Sequence, residues 1–300
     1  MNGWLQSRSS RLLLTTGMIM CLVLTAGAYG KAKESGGEPF SILRFGTTAR
    51  IWGMGNAGVA AARGVEGLYY NPAALCDVKQ PELSISHAAW LVETDLNFMA
   101  AALPLADQGG LGAGLLLLSS PGIPATSDEG ALEGYFDYLQ GVVYVSAGRA
   151  ISDDWEMGVT AKGLFGEVEA ESCRGYSLEG GLRFKVSEML TLGILARDVW
   201  GKVQWTTGLT EAIPTQILGG AVVSLLDGQL LVSGQTDTGF KDRGIGAEYS
   251  IGEHVQLRGG YAKESITAGV GLGVGNIRLD YSWVGHDLGG THRISFAVRF

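Results

Sequence analysis

Residues 276–300 read NIRLDYSWVGHDLGGTHRISFAVRF. In the final limb Ile294, Phe296, Val298 and Phe300 alternate with Arg293, Ser295, Ala297 and Arg299. In the limb before it Ile277, Leu279, Tyr281 and Trp283 alternate with Arg278, Asp280 and Ser282. Successive side chains of an extended chain point to opposite faces, so this spacing gives each limb one greasy and one polar face. The polar, Gly-rich GHDLGG between the limbs supplies the turn of a hairpin.

The same period recurs toward the N-terminus. Val255, Leu257 and Tyr261 alternate with Gln256 and Arg258, Ile245 and Tyr249 with Glu248, and Trp155, Met157 and Val159 with Glu156 and Thr160. Tyr176, Leu178, Leu182 and Phe184 alternate with Ser177, Glu179, Arg183 and Lys185. Fourteen such segments run at about 82–91, 95–104, 110–119, 136–149, 154–167, 174–186, 189–198, 214–226, 229–237, 243–251, 254–262, 265–274, 276–285 and 290–300. No helical pattern separates them.

A soluble sandwich also alternates, and the pattern alone does not say which face is inside. Three features point to the membrane. The segments are longer than ordinary globular strands, their number is even, and Trp90, Trp155, Trp283, Tyr261, Tyr281 and Phe300 sit near strand ends, as in interfacial girdles. Lipid offers no hydrogen-bond partners, so such a sheet must close on itself. The expected fold is all-β, a 14-stranded antiparallel transmembrane β-barrel. Alternate connections agree: Ser152-Asp153-Asp154, Ser187-Glu188, Asp227-Gly228, Gly252-Glu253 and Gly275 are tight, whereas Ser120 to Tyr135 and Val199 to Ile213 read as longer external loops.

The N-terminus fixes the address. Arg8 and Arg11 precede an apolar stretch from Leu12 to Thr25, and Ala26-Gly27-Ala28 offers a cleavage site, so residues 1–28 read as a signal peptide. Residues 29–80 then form a segment ahead of a barrel at 81–300. Gly is 47 of 300 residues, about twice the average share, and charged residues are only 17%. A net charge of −8 argues against a nucleic-acid partner.

The N-terminal segment contains Gly53-Met-Gly55-Asn-Ala-Gly58, a literal G-x-G-x-x-G. Dinucleotide binding needs that string between a strand and a helix in a βαβ unit, and no such unit exists here. An exported chain also meets no NAD pool. The string therefore does not read as a nucleotide site, and no metal or other cofactor is expected.

Ala49-Arg50, Gly53-Met54-Gly55, Ala57 and Val59-Ala60, followed by Tyr69-Tyr70-Asn71-Pro72-Ala73-Ala74-Leu75, resemble the N-terminal signature of PorV/PorQ-like outer-membrane proteins, within the superfamily of the FadL fatty-acid transporter. The resemblance spans about Phe40 to Phe300. It implies an N-terminal plug or hatch associated with the barrel, with Gly53, Gly55, Gly58, Asn71, Pro72 and Ala73 as plug or gating residues. It also implies that the terminal strand, with Phe296 and Phe300, is read by the outer-membrane assembly machinery. The resemblance places the protein in the outer membrane of a Gram-negative-type envelope. Its implied role is that of an accessory barrel to a secretion-system protein, the alternative being FadL-like passage of a hydrophobic ligand across the lipid bilayer. External loops of at most about sixteen residues depart from the fatty-acid transporter's large ones.

The polar faces carry Glu156, Lys162, Glu179, Arg183, Glu248, Arg258, Arg278, Asp280, Arg293 and Arg299, of mixed sign. They suggest a salt-bridge network across the lumen rather than an ion-selective ring. His87, His254, His286 and His292 show no metal-ligand spacing, and Ser282 with His286 lacks a third triad member, so no enzyme is expected. Cys76 near the periplasmic end and Cys173 in an external loop are expected to be free thiols.

Overall fold

The computed structural model describes residues 39–90, 93–105, 109–127, 129–286 and 289–300. The expected signal peptide (1–28), the first ten residues of the expected plug segment, and Asp287 lie outside them.

The strands are β1 (Glu82–Ala89), β2 (Asp95–Leu105), β3 (Gly109–Thr126), β4 (Leu132–Ala150), β5 (Trp155–Val168), β6 (Glu171–Lys185), β7 (Leu190–Trp205), β8 (Thr210–Ala212), β9 (Gln216–Leu225), β10 (Leu230–Asp237), β11 (Arg243–Ile251), β12 (Val255–Ala262), β13 (Ser265–Val274), β14 (Ile277–Val284) and β15 (Thr291–Arg299). All pair antiparallel with sequence neighbours except that β7 pairs on to β9, with β8 a short spur on the upper part of β7. The ring closes where Glu82 to Ala89 of β1 zips onto Arg299 to His292 of β15. Leaving out the spur, fourteen of the fifteen strands form a closed barrel.

Inside and outside follow the two-residue period. On β15 Arg293 and Ser295 are buried, while Ile294 and Phe296 are 52% and 40% exposed. A continuous belt of exposed Ile, Val, Leu and aromatic side chains around a closed sheet is the surface of an outer-membrane barrel. Trp155 stacks on Phe184 at 4.4 Å in that belt. Trp90 departs from the expected girdle: it faces inward and stacks on Phe45 at 4.8 Å.

Two expected loops are largely strand. Ser119 and Ser120 continue β3, and beyond a register shift at Pro121-Gly122, where Gly122 has φ 66°, Ile123 pairs with Phe136. Turn-type residues here make a bulge instead of ending the ladder. Likewise β7 continues past Val199 to Trp205 through two bulges, each setting three residues of β7 against two of β6. Asp198 and Trp200, both at φ 55°, make these bulges. Cys173 therefore lies within β6, buried and facing inward, not in a loop.

The segment from Phe40 to Cys76 fills the lumen with short turns: 3-10 helices at Ser41–Arg44, Gly64–Glu66 and Pro72–Asp77, and α-turns at Ala49–Gly53 and Gly67–Tyr70. From Gly46 to Cys76 every residue is buried except Arg63. Short irregular elements serve here because the wall, not a helix ladder, satisfies their polar groups.

The lipid-facing assignment has a direct check. Placing a charge on the belt with Ile294→Arg is expected to cost about 2–4 kcal/mol, read as a lower urea midpoint of the detergent-solubilised barrel, whereas Ile294→Leu leaves it unchanged.

Candidate functional site

Three ionic clusters fasten the plug to the wall. In the first, Arg50 Nη1 donates to Glu66 Oε2 (2.8 Å) and its Nε to Glu248 Oε2 (3.0 Å). Arg258 pairs with Glu248 (2.7 Å) and Asp280 (2.8 Å), and Arg278 with Asp280 (2.7 Å) and Glu66 (3.4 Å). The contacts close a ring of three guanidinium and three carboxylate groups, neutral overall. Glu248 and Arg258 lie opposite each other on β11 and β12. Arg258 reaches Asp280 over β13 because Gly271 stands between them; a Cβ there would lie 2.5 Å from Arg258 Nη2 and 2.7 Å from Asp280 Oδ1.

In the second cluster Lys162 contacts Glu179 and Asp198 (2.9 Å to the latter), Ser177 donates to Asp198 (2.9 Å), and Arg44 of the plug reaches Asp198 Oδ2 at 2.6 Å. In the third, Arg183 binds Glu156 (2.6 Å), Asp77 (2.9 Å) and the carbonyl of Ala62 (2.9 Å). Arg299 pairs with Glu82 at the β1–β15 seam, and Glu82 accepts from Val65 N.

These wall charges are buried or half-buried except Arg299, which is exposed at the seam, and their pairing differs from the expectation. Wall residues pair between nearby strands, and plug residues Arg44, Arg50, Glu66 and Asp77 complete the clusters, in place of bridges across an open lumen. None of the four was read from the sequence as an ion-pair partner, Arg50 entering only within the Ala49-Arg50 signature. The available signal was charge inside a Gly/Ala-rich stretch with no polar face, since a buried charge requires a partner. Arg293 departs further. Among the described residues it meets no carboxylate; it donates to the carbonyls of Gly46 and Phe45 (both 3.0 Å) and lies between the indoles of Trp52 (4.5 Å) and Trp90 (4.8 Å). Cation–π attraction and two carbonyls hold its charge.

The signature residues are brought against the wall. Asn71 caps the Pro72–Asp77 turn by accepting from Ala73 N (3.1 Å), and its amide donates to the carbonyls of Val59 (2.8 Å) and Leu182 (3.2 Å). Gly55, at φ 67°, sits where a Cβ would be 2.4 Å from the Ile245 carbonyl oxygen. Gly53 and Gly58 abut Arg258 and Tyr70. Of the histidines, His292 Nδ1 lies 2.7 Å from Tyr281 Oη.

Over part of the wall the lumen is apolar. Leu96, Phe98, Leu116, Leu118, Val142 and Leu164 on β2–β5 face inward and pack with Ile42, Leu43, Leu68 and Tyr70 of the plug. On β2 to β4 both faces are largely apolar, so the two-residue period gave no sign there of which set was inside.

No protein-family model matches the sequence, and no curated protein matches it. Solved structures match the fold. The monoaromatic hydrocarbon channel CymD aligns at TM-score 0.63 and 14% identity over 85% of this chain and 98% of that one. The Ralstonia pickettii toluene transporter TbuX aligns at 0.62 and 17% over 87% and 100%, and a Pseudomonas aeruginosa FadL homologue at 0.62 and 12% over 85% and 98%. At such identities the likeness is one of fold: the chain shares the barrel architecture of these proteins. The narrower PorV/PorQ resemblance has no counterpart among these matches.

Two outcomes test the plug attachment. Arg50→Met leaves Glu66 and Glu248 short of a buried counter-charge, a loss of about 3–5 kcal/mol, seen as a lower melting temperature; adding Glu248→Met recovers part of it. Burial, with Glu156 nearby, raises the Cys76 thiol to about 11, so a water-soluble maleimide labels it slowly at pH 8 and fast only after unfolding.

Proposed function

We propose that the protein is an outer-membrane conduit for small apolar molecules, the passage reading rather than the secretion-accessory one. The observation that carries it is the apolar inner face of β2–β5. A pore for hydrated solutes lines its lumen with polar groups, whereas this face, covered by the plug in the closed state, offers an apolar solute a favourable surface of about 25 cal/mol per Å² when the plug shifts off it. The fold likeness to proteins described as hydrocarbon channels and a toluene transporter supports the same reading. Recognition of the Phe296 and Phe300 strand by the assembly machinery belongs to the same proposal.

An apolar solute moving along the axis next meets the ion ring, where no apolar surface continues. Between the apolar face and that ring, on β7 to β9, the wall has a fault. The β7 bulges at Asp198–Gly201 face a break at Ile213–Thr215, between β8 and β9, where Pro214 lacks an N–H for the ladder. Arg44 spans the two banks, donating to Asp198 (2.6 Å) on one and to the Pro214 carbonyl (3.0 Å) on the other. The solute leaves sideways into the bilayer here, and Arg44 holds the fault shut.

Radiolabelled toluene uptake into porin-deficient cells making this protein is expected to be saturable and well above that of cells without it; equal rates overturn the proposal. Arg44→Ala removes charge-assisted bonds of about 1.5–3 kcal/mol and raises that uptake about tenfold or more. Planar bilayers containing the wild-type protein pass almost no ionic current.

A further inference from the structure

At the end of the barrel with the tight turns, a cavity of about 240 Å³ opens against the ion ring, lined by Arg63 of the plug and by Arg258, Arg278 and Arg299 of the wall. Its buried carboxylates are already matched. Glu66, Glu248 and Asp280 belong to the neutral ring, and Glu82 pairs with Arg299. None of the four is more than 8% exposed. Water instead reaches guanidinium groups: the side chains of Arg278 and Arg299 are 30% and 55% exposed, and Arg63 is exposed.

Arg63 brings a surplus charge. Its side chain pairs with no carboxylate among the described residues, and its strongest neighbour is a like charge. Arg50 pushes the Arg63 guanidinium down from its ordinary value, to about 10, which leaves it charged at neutral pH. The ring sums to zero and so does the Glu82–Arg299 pair, so nothing in either offsets Arg63. Of the acids lining the cavity only Glu253, in the turn between β11 and β12, is exposed.

The cavity is smaller than a drug-sized pocket and suits a small molecule. The forked donors of arginine match carboxylate and phosphate oxygens. Arg63 stands on the plug, whereas Arg278 and Arg299 stand on β14 and β15, so engaging both sides takes more than one acidic group. We infer that this cavity binds a small organic or inorganic anion with two or more carboxylate or phosphate groups, which bridges Arg63 of the plug to Arg278 and Arg299 of the wall. The bound anion is a fourth fastening of the plug, present only while the ligand is. It is independent of what passes through the barrel.

Citrate and pyrophosphate are the probes, one carrying carboxylates and the other phosphates, with acetate at the same ionic strength as the control. Each is titrated into the detergent-solubilised protein by calorimetry, and the melting temperature is followed in parallel, since a ligand of the folded state alone stabilises it. At least one probe is expected to bind about tenfold or more tightly than acetate and to raise the melting temperature saturably; which one does so names the acidic group. Arg63→Gln weakens that binding about tenfold or more. Without any anion the same variant melts at an equal or higher temperature, because the repulsion from Arg50 is gone. Probes that bind no better than acetate, or binding that Arg63→Gln leaves intact, overturn the site. A lower anion-free melting temperature of Arg63→Gln overturns it as well, by showing that Arg63 already has a partner.

Discussion

Arg50 joins the plug to the wall through a closed circuit of charge. Each of its two carboxylate partners is shared with a wall arginine, and those arginines meet again on Asp280. Six ions removed from water are tolerable only because each contacts two of opposite sign and the sum is zero. Hydrophobic packing alone would hold the plug against β2–β5, yet it would not fix its rotation within a roughly cylindrical lumen. Directional pairs do, because Glu66 and Arg50 find their partners in only one orientation. The ring therefore contributes placement more than raw stability.

Placement in turn divides the interior. The charged clusters take the side formed by β11–β15 and the end near the tight turns, and the apolar cluster takes β2–β5 toward the external mouth. Between them lies the bulged part of β7, where Asp198 turns inward to Lys162 and Arg44. A bulge re-aims a side chain at the expense of ladder hydrogen bonds. The same irregularity that brings Asp198 to the plug thus weakens the wall at that point.

The barrel was legible in the sequence wherever its two faces differ. Arg293, Ser295 and Arg299 against Ile294, Phe296 and Phe300 is readable because lipid and the ionic interior demand opposite chemistry. On β2 to β4 that contrast vanishes: Leu115 to Leu118 serve lipid and plug alike, and only three-dimensional packing separates them. The bulges were hidden for another reason. Ser119, Ser120, Pro121 and Gly122 are good turn formers, and local chemistry does not reveal that the ladder resumes beyond them. Arg50 and Glu66 were not legible as members of a ring because their wall partners Glu248 and Arg278 lie 198 and 212 residues away in the chain. Arg293 was legible as inward-facing, but the carbonyls and indoles that hold it belong to elements with no charge to advertise them.

The contacts between plug and wall are backbone to backbone in several places. At Gly158, a Cβ would sit 2.3 Å from the Pro72 carbonyl carbon, and at Gly246 one would sit 2.4 Å from that of Met54. Clearances this small leave no path for threading the segment through a finished cylinder. The sheet must therefore close around a segment already in place, with the N-terminal residues as the mandrel on which it is rolled.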